Sequence, residues 1–488
     1  MTIEQLFDTL PQRFRAKYAP TKTIHYHFDF LTAQFTVTLS PLGCVVAKGL
    51  INTPSCTINT DTDTYIRIET GQLPPYDALL SGKVKVDNLE AMMLLGKCFQ
   101  TLSIPTPTTP FPLQRNISKG ILKDIRVLDL TRLLPGPMAS MFLADMGADV
   151  LKIEHPDTPD NTRQFPPFNH TGQAAYYTAL NRSKRSITLD LQSDEGKTTF
   201  CKLLANTDIL LESYRPGVMQ KLGLDYQNLS QQYPRLIYVS ITGYGQHSPY
   251  ANHAGHDLNY LALSGILSLN KSADGTPIIP AVQFADVAAG AYMTLNACLL
   301  ALWQREKTGT GDHADISMLD CLVPILSLPF AEFQATQQVP QNGQYFLSGA
   351  LPNYNVYQCS DGLWVALGAL EPKFWANFCQ LVQKNQWKSP ILPQTKEAQE
   401  RIEQVKTLFK TKTRAEWLAL AQQTDICLSP VYELNELQQD PHFAQTGLII
   451  EHQHPIYGKA FGLKNPLRFE NANTNKGWAA PMLGEDNK

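Results

Sequence analysis

Apolar positions along this chain change period twice, and the changes divide it. Ile3, Leu6, Phe7, Leu10 and Phe14 fall at helical spacing near the start, which predicts an amphipathic helix. Alternating stretches then predict strands over 23–30, 34–39, 44–50 and 64–69. A helix over 75–80, a short strand over 83–86 and an apolar helix over 89–102 complete an α+β unit of residues 1–101. Four prolines in the Thr-rich stretch from Ser103 to Pro112 predict a stiff, extended linker within 102–118.

Beyond the linker, short continuous apolar runs alternate with helical segments. The runs predict strands over 125–130, 149–154, 186–191, 208–212, 236–242 and 313–317. Helices are expected over 138–146, 195–206 and 286–305, with Pro135-Gly136-Pro137 as a turn. This is the pattern of an α/β domain with a Rossmann-like, mostly parallel sheet, here spanning 119–353. A hairpin over 354–359 and 364–367, then helices over 372–383, 399–411 and 414–424, predict a smaller α+β domain over 354–435. Residues 436–488 are expected to return to the large domain.

Composition narrows the function classes. An apolar content of 43% against 17% charged residues fits a globular chain with sizeable cores. A net charge of -3, with no dense Lys/Arg stripe, argues against nucleic acid. The nine cysteines are scattered without any Cys-x-x-Cys, which reads as reduced thiols of a cytoplasmic protein. No uninterrupted apolar run reaches about 18 residues, so no integral membrane segment is expected. Glu4 and Asp8 in the first helix argue against a targeting peptide. The eleven histidines are dispersed, so no metal is expected, and acid–base chemistry by protein side chains needs no other cofactor. Gly-x-Ser-x-Gly and Gly-x-Gly-x-x-Gly are both missing, which disfavours a serine hydrolase and a dinucleotide.

The candidate chemistry sits in Ala254-Gly255-His256-Asp257-Leu258-Asn259-Tyr260 and in Gln283-Phe284-Ala285-Asp286. An imidazole that titrates near neutrality and a carboxyl that burial can push upward suit proton abstraction beside a carbonyl. Taken singly, His256-Asp257 also fits a helix-start cap, and Asp286 fits the N-cap of the helix it begins. Glu371, just before Pro372, fits either a solvated first-turn acid or a carboxylate that orients an imidazole. Gly243-Tyr244-Gly245-Gln246 follows a strand, where ligands bind in parallel sheets. Arg182, Lys184, Arg185, Arg215 and Lys221 near other strand ends would suit a polyphosphate if they converged. From residues alone, the chain reads as an α/β enzyme with an acid–base site and a phosphate-bearing ligand.

Residues 122 onward resemble the class III coenzyme A-transferase superfamily, and within it the α-methylacyl-CoA racemase branch. The likeness rests on Leu133-Leu134-Pro135-Gly136-Pro137, on the run from Asp145 to Glu154 and on Lys184-Arg185-Ser186-Ile187-Thr188-Leu189-Asp190-Leu191. It continues through Glu212-Ser213-Tyr214-Arg215-Pro216-Gly217, Thr242-Gly243-Tyr244-Gly245-Gln246 and Lys307-Thr308-Gly309-Thr310-Gly311. The resemblance implies His256, oriented by Glu371, and Asp286 as two catalytic groups of a 2-methyl-branched acyl-CoA racemase or epimerase working through an enolate. It equally supplies an alternative, an acyl-CoA:carboxylate CoA-transferase with Asp257 as nucleophile. A third alternative is an acyl-CoA or lipid carrier without turnover.

By the same resemblance, coenzyme A, as part of the substrate, would lie against His155, Leu189–Gln192 (Leu189, Asp190, Leu191, Gln192), Ser213, Tyr214, Arg215 and Lys221, with Gly255, Asn259 and Tyr260 nearby. His155 stands where an Arg is common in the family, and Gln192 where a basic residue is common. An interlaced homodimer, in which Glu371 reaches the partner's His256, is a further implication. Residues 1–101 resemble a sterol-carrier-protein lipid-transfer domain. That likeness is carried by Ile66-Arg67-Ile68-Glu69-Thr70-Gly71-Gln72-Leu73 and Ala78-Leu79-Leu80-Ser81-Gly82-Lys83-Val84-Lys85-Val86, and it implies a lipid or fatty acyl ligand.

Overall fold

The computed structural model describes residues 2–30, 32–69, 75–99, 120–169, 172–272, 274–454, 458–472 and 479–487. The linker expected over 102–118 and the Gly71-Gln72-Leu73 part of the carrier-like motif lie outside them. Two compact units emerge. One holds the described residues of 1–116, 160–179 and 453–459, the other those of 117–159, 180–452 and 460–488.

In the first unit, β1 (Ile24–Phe30), β2 (Ala33–Ser40), β3 (Gly43–Lys48), β4 (Cys56–Thr60) and β5 (Lys85–Val86) form one sheet in the order β3-β2-β1-β4-β5. β1 runs antiparallel to β2 and parallel to β4. Tyr26, Phe28 and Phe30 alternate along β1 and are buried in the core, where Phe7 stacks on Phe35 at 4.2 Å and meets Phe28 edge-on at 5.0 Å.

One predicted element changes type here: residues 64–69 belong to a helix, Thr62–Glu69, and not to a strand. Thr64-Tyr65-Ile66 alternates like a strand, but the Asp61 carboxylate accepts the Thr64 N–H at 2.8 Å and its hydroxyl at 2.6 Å, a local bond that starts a helix. The strand that pairs with β1 is instead the polar Cys56–Thr60, whose alternation is too weak to read.

The second unit is built on β6 (Arg126–Asp129), β7 (Asp149–Glu154), β8 (Arg185–Thr188), β9 (Ile209–Glu212), β10 (Ile237–Thr242) and β11 (His313–Ser317), in the order β11-β10-β9-β6-β7-β8. All five pairings are parallel. Successive side chains on each strand go to opposite faces, and both faces of the central strands β9 and β10 are covered, so these two are buried along their whole length. Val127, Ile209, Leu211 and Val239 pack with Phe142 and Leu295 on one side. Leu128, Leu151, Leu210 and Tyr238 pack with Phe200 and Leu224 on the other. The strand order reverses between β6 and β9, which opens a crevice at their carboxyl ends.

Pro135-Gly136-Pro137 is not a free turn but the first turn of the helix Pro135–Asp145. Gly136 is required there, because a Cβ would stand 2.2 Å from Cβ of Thr131. Three of the basic residues expected to converge on a phosphate are committed to the framework. Lys184 is fully buried and donates to Asp129 (3.1 Å), to the Pro137 carbonyl (2.9 Å) and to Asn181 (2.7 Å). Arg182 grips Asp145 with two hydrogen bonds, and Arg185 grips Asp149 likewise. Scattered cations in sequence look alike whether they face solvent or a buried acid, and these found acids.

Further along the same unit, β12 (Tyr354–Gln358), β13 (Trp364–Gly368) and β14 (Leu428–Pro430) form a three-stranded sheet. Its own core stacks Tyr357 on Phe409 at 4.9 Å and Phe409 against Trp417 at 4.8 Å. At the chain end, Asp486 accepts the Ser186 N–H and Asn487 the Thr188 N–H, each at 2.9 Å, along the edge strand β8. Two helical stretches, Ala285–Thr308 and Met318–Thr336, are long and apolar enough by length and composition to cross a membrane. Neither is an uninterrupted apolar run: Thr294, Asn296 and Gln304 break the first, and Asp320 and Glu332 the second. Leu295 and Cys298 of the first stretch are buried in the core beside the parallel sheet.

Candidate active site

After β10 the chain turns through Gly243–Gln246 and reaches the helix Asp257–Ser264, which His256 precedes in extended conformation. Two residues of the helix's own first turns fix the backbone around His256. The Asn259 side-chain oxygen accepts the His256 N–H at 3.0 Å, and the Tyr260 hydroxyl donates to the Gly255 carbonyl at 2.7 Å. Tyr260 is buried edge-on against Tyr244, ring centroids 5.2 Å apart. A Cβ on Gly255 would stand 2.5 Å from the Tyr244 hydroxyl and 2.8 Å from the Tyr260 ring. Glycine is required there because two aromatic rings occupy the space. Gly255, Asn259 and Tyr260 therefore bond to the loop that presents His256, which is itself exposed.

Asp286 comes to the same place from another element. It lies second in a π-helical stretch, Ala285–Tyr292, which continues as the α-helix Met293–Thr308. It is not the N-cap; Phe284 holds that position, with no side-chain cap bond. Instead the Asp286 N–H donates to Oδ1 of Asp257 at 3.0 Å. Burial, then the nearby Asp257 charge, pushes the Asp286 carboxyl up to about 7. Burial also raises Asp257, against the hydrogen bonds it accepts from the Asp286 and Ala285 backbone. A helix start would ordinarily hold these acids ionised; desolvation and mutual repulsion outweigh it. π-helical turns are rare and recur at functional sites.

Glu371 is the exposed N-cap of the helix Pro372–Leu381. Among the described residues, no hydrogen bond or ion pair joins it to His256 within one chain. Nor do three or more His, Cys, Asp or Glu side chains among the described residues group to hold a metal ion.

A cleft of about 180 Å³ opens outside the carboxyl ends of β6, β7 and β8 and beside the turn after β9. His155, Leu189, Asp190, Leu191, Gln192 and Tyr214 line it, together with Arg132 and Glu154. Nδ1 of His155 accepts the Asp157 N–H at 3.1 Å, and its Nε2 stands 3.6 Å from Oδ1 of Asp190. The Ser213 hydroxyl accepts the Arg132 N–H at 3.1 Å, tying the ends of β6 and β9 together across the switch point. Arg215 and Lys221 are exposed and do not line the cleft. Arg132 does, with its guanidinium 5.7 Å from the Tyr214 ring centroid. Sequence reasoning overlooked it, although a cation in the turn after a parallel strand, ahead of Pro135-Gly136-Pro137, was the available signal.

The geometry has counterparts among known proteins. A CAIB/BAIF family protein from Brucella suis superimposes with a TM-score of 0.65 at 31% identity, over 75% of this chain and 97% of that one. A hypothetical protein from Mycobacterium tuberculosis gives 0.64 at 26% identity, over 75% and 98%. Alpha-methylacyl-CoA racemase of Homo sapiens is 34% identical over 332 residues, 67% of this chain and 82% of that protein. Succinyl-CoA:glutarate CoA-transferase of Mus musculus is 31% identical over 370 residues, 75% and 84%. The family model described as CoA-transferase family III matches residues 122–487, and the chain belongs to that family.

Proposed function

We propose that this protein is a racemase or epimerase of 2-methyl-branched acyl-CoA thioesters. One observation carries the reading: Asp286 is held near neutrality, between acid and base, beside the His256-Asp257 pair. The thioester carbonyl acidifies the proton on its α-carbon. The His256 imidazole takes that proton from one face, and the electron pair moves onto the thioester oxygen as an enolate. Backbone N–H groups at the start of the helix Asp257–Ser264 stabilise that oxygen. The Asp286 carboxyl then returns a proton to the opposite face, leaving an imidazolium and a carboxylate. Reaction of the opposite enantiomer, or exchange with water, restores both groups. The reaction so written uses protein side chains alone.

The coenzyme's nucleotide end would occupy the cleft lined by Arg132, His155, Leu189 and Tyr214. Leu299, Leu300 and Trp303 on one helix, and Ile325, Leu328 and Phe330 further along the chain, are exposed apolar side chains that a second copy of the chain would cover. The partner's Glu371 would then orient His256. All nine cysteines are free, in keeping with a cytoplasmic setting. The N-terminal unit would bind a fatty acyl or sterol ligand.

A second reading has its own support. The Asp257 carboxylate is held by the Asp286 N–H at a helix start, where it could attack the thioester carbonyl, expel coenzyme A as its thiolate and remain as an acyl–Asp257 anhydride. Transferases stand among the similar proteins at about the same identity as racemases. Incubating a chiral 2-methylacyl-CoA in deuterated water, with and without a free carboxylate, separates the two. α-Deuteration with loss of chirality supports the racemase. Acceptor-dependent thioester exchange without deuteration supports the transferase, and neither, with ligand still bound, supports a carrier.

A further inference from the structure

Glu212 is a buried acid that the proposed reaction does not use. It ends β9 with 3% of its surface exposed, one residue before the turn that edges the cleft. Its Oε2 accepts the N–H of Tyr214, whose side chain lines the cleft, at 2.8 Å. Ser240, its register partner on β10, also bonds to the carboxyl. The Ser240 hydroxyl lies 3.0 Å from Nε2 of His313, the half-buried first residue of β11. A hydrogen-bonded row thus crosses three parallel strands, from an imidazole through a hydroxyl to a buried acid that holds the backbone of cleft-lining Tyr214.

The row can exist in two polarities without orphaning a polar group. With Glu212 ionised, His313 donates to Ser240 and Ser240 to the carboxylate. With Glu212 protonated, the acid donates to Ser240 and Ser240 to the imidazole. The groups facing Glu212 are Ser240 and Tyr238 from β10, Asp315 and His313 from β11, and Tyr214 from its own turn. On the β6 side, Asp129 is bonded to Lys184. Burial above all, with the Asp315 charge, pushes the Glu212 carboxyl up to about 7, so a small added field moves its proton occupancy.

We propose that Glu212 is a proton-binding positioning residue of the cleft, and that seating the diphosphate-bearing end of a coenzyme A thioester against Tyr214 and Arg132 drives uptake of one proton onto Glu212. This rests on the cleft being the coenzyme site. The incoming polyanion adds negative charge across a low-dielectric wall, which favours the neutral acid. The proton comes from solvent by way of His313 and Ser240, and linkage makes binding tighter as pH falls through neutrality.

Calorimetric titration with free coenzyme A at about pH 7.5, in two buffers of different ionisation enthalpy, reads the protons taken up. The wild type is expected to take up about half a proton and to bind about threefold more tightly at pH 6.5 than at pH 8. Glu212→Gln, permanently neutral, should lose that component and most of the pH dependence. Uptake undiminished in Glu212→Gln overturns the proposal. If Glu212→Gln fails to fold, Ser240→Ala serves: losing its donor should shift the uptake to higher pH, and an unmoved profile counts against the proposal. A Leu189→Trp variant, with an indole filling the cleft, tests the underlying reading separately. Coenzyme A binding equally well to it, or not binding the wild type at all, removes the coenzyme assignment of the cleft itself.

Discussion

The backbone N–H of Asp286 donates to a carboxylate oxygen of Asp257 across 3.0 Å, so two acids from different helices meet at one hydrogen bond. The nearby Asp257 charge adds to burial in raising the Asp286 carboxyl to about 7. A residue that donates a proton to an enolate has to hold it at working pH, and this contact helps to hold it.

Activity should therefore fall on the alkaline side as Asp286 loses its proton above about 7. Asp257→Asn removes the like charge, so the alkaline limb should move down by about one pH unit. The pH dependence of α-deuterium exchange under kcat/KM conditions measures it. A limb that stays in place would show that Asp286 is not the acid.

The same shift carries a stability cost with a definite sign. Below the unfolded pKa both states are protonated and nothing is lost; as pH rises toward 7 the unfolded chain releases its proton first, so stability falls across that window. Asp286→Asn should then stabilise the protein at pH 8 by about 2 kcal/mol, after discounting for partial exposure, and by almost nothing at pH 4. Urea unfolding at the two pH values tests this. Gain of stability with loss of exchange on one face is the signature of an acid kept for function.

Much of this arrangement was legible in the residues, and the illegible parts share a cause. The central strands β9 and β10 announce themselves because both faces are buried, so each reads as a short, largely apolar run. His256, Asp257 and Asp286 stand out because few residue types do acid–base work near neutrality. The helix at Thr62–Glu69 was hidden because one capping bond from Asp61 overrides an alternating pattern. The π-helical turn carrying Asp286 has no periodic signature that sets it apart from the α-helix it leads into. Lys184 looked like a phosphate ligand because sequence shows a charge and not its partner, Asp129.

That partner gives a paired prediction. Lys184→Met removes the ion pair of the buried Asp129 and leaves it to Thr131, Ser140 and the nearby Lys152 charge, so it should cost about 3 kcal/mol of stability. Arg132→Ala should leave the melting temperature within a degree or two, yet raise KM for the thioester about tenfold. Thermal melts and initial rates on both variants separate framework from ligand contact. A KM effect from Lys184→Met in the folded fraction, without loss of stability, would reverse the assignment.

Removing His256 tests the two-face chemistry directly. His256→Ala should abolish proton removal from one enantiomer by about 10³-fold, while Asp286→Asn does the same to the other. The readout is deuterium incorporation from each pure enantiomer at early times. Exchange from both enantiomers surviving in His256→Ala would exclude the mechanism and favour a reaction centred on Asp257.

Among the described residues Glu371 and His256 make no bond within one chain, and Trp303 and Leu300 are exposed. If the partner supplies Glu371, His256→Ala and Glu371→Ala homodimers each lack one member at every site. Mixing the two variants under conditions that exchange subunits then rebuilds one intact site in each mixed dimer. Half the dimers are mixed and each holds one of two sites, so about a quarter of wild-type turnover should return. If the face around Trp303 joins the two copies, Trp303→Glu places a charge in it and should give monomers and prevent the rescue. Sedimentation velocity and rates on the mixture read both effects together. Monomeric protein with full activity would mean that each chain completes its own site, with Glu371 acting as a helix cap alone.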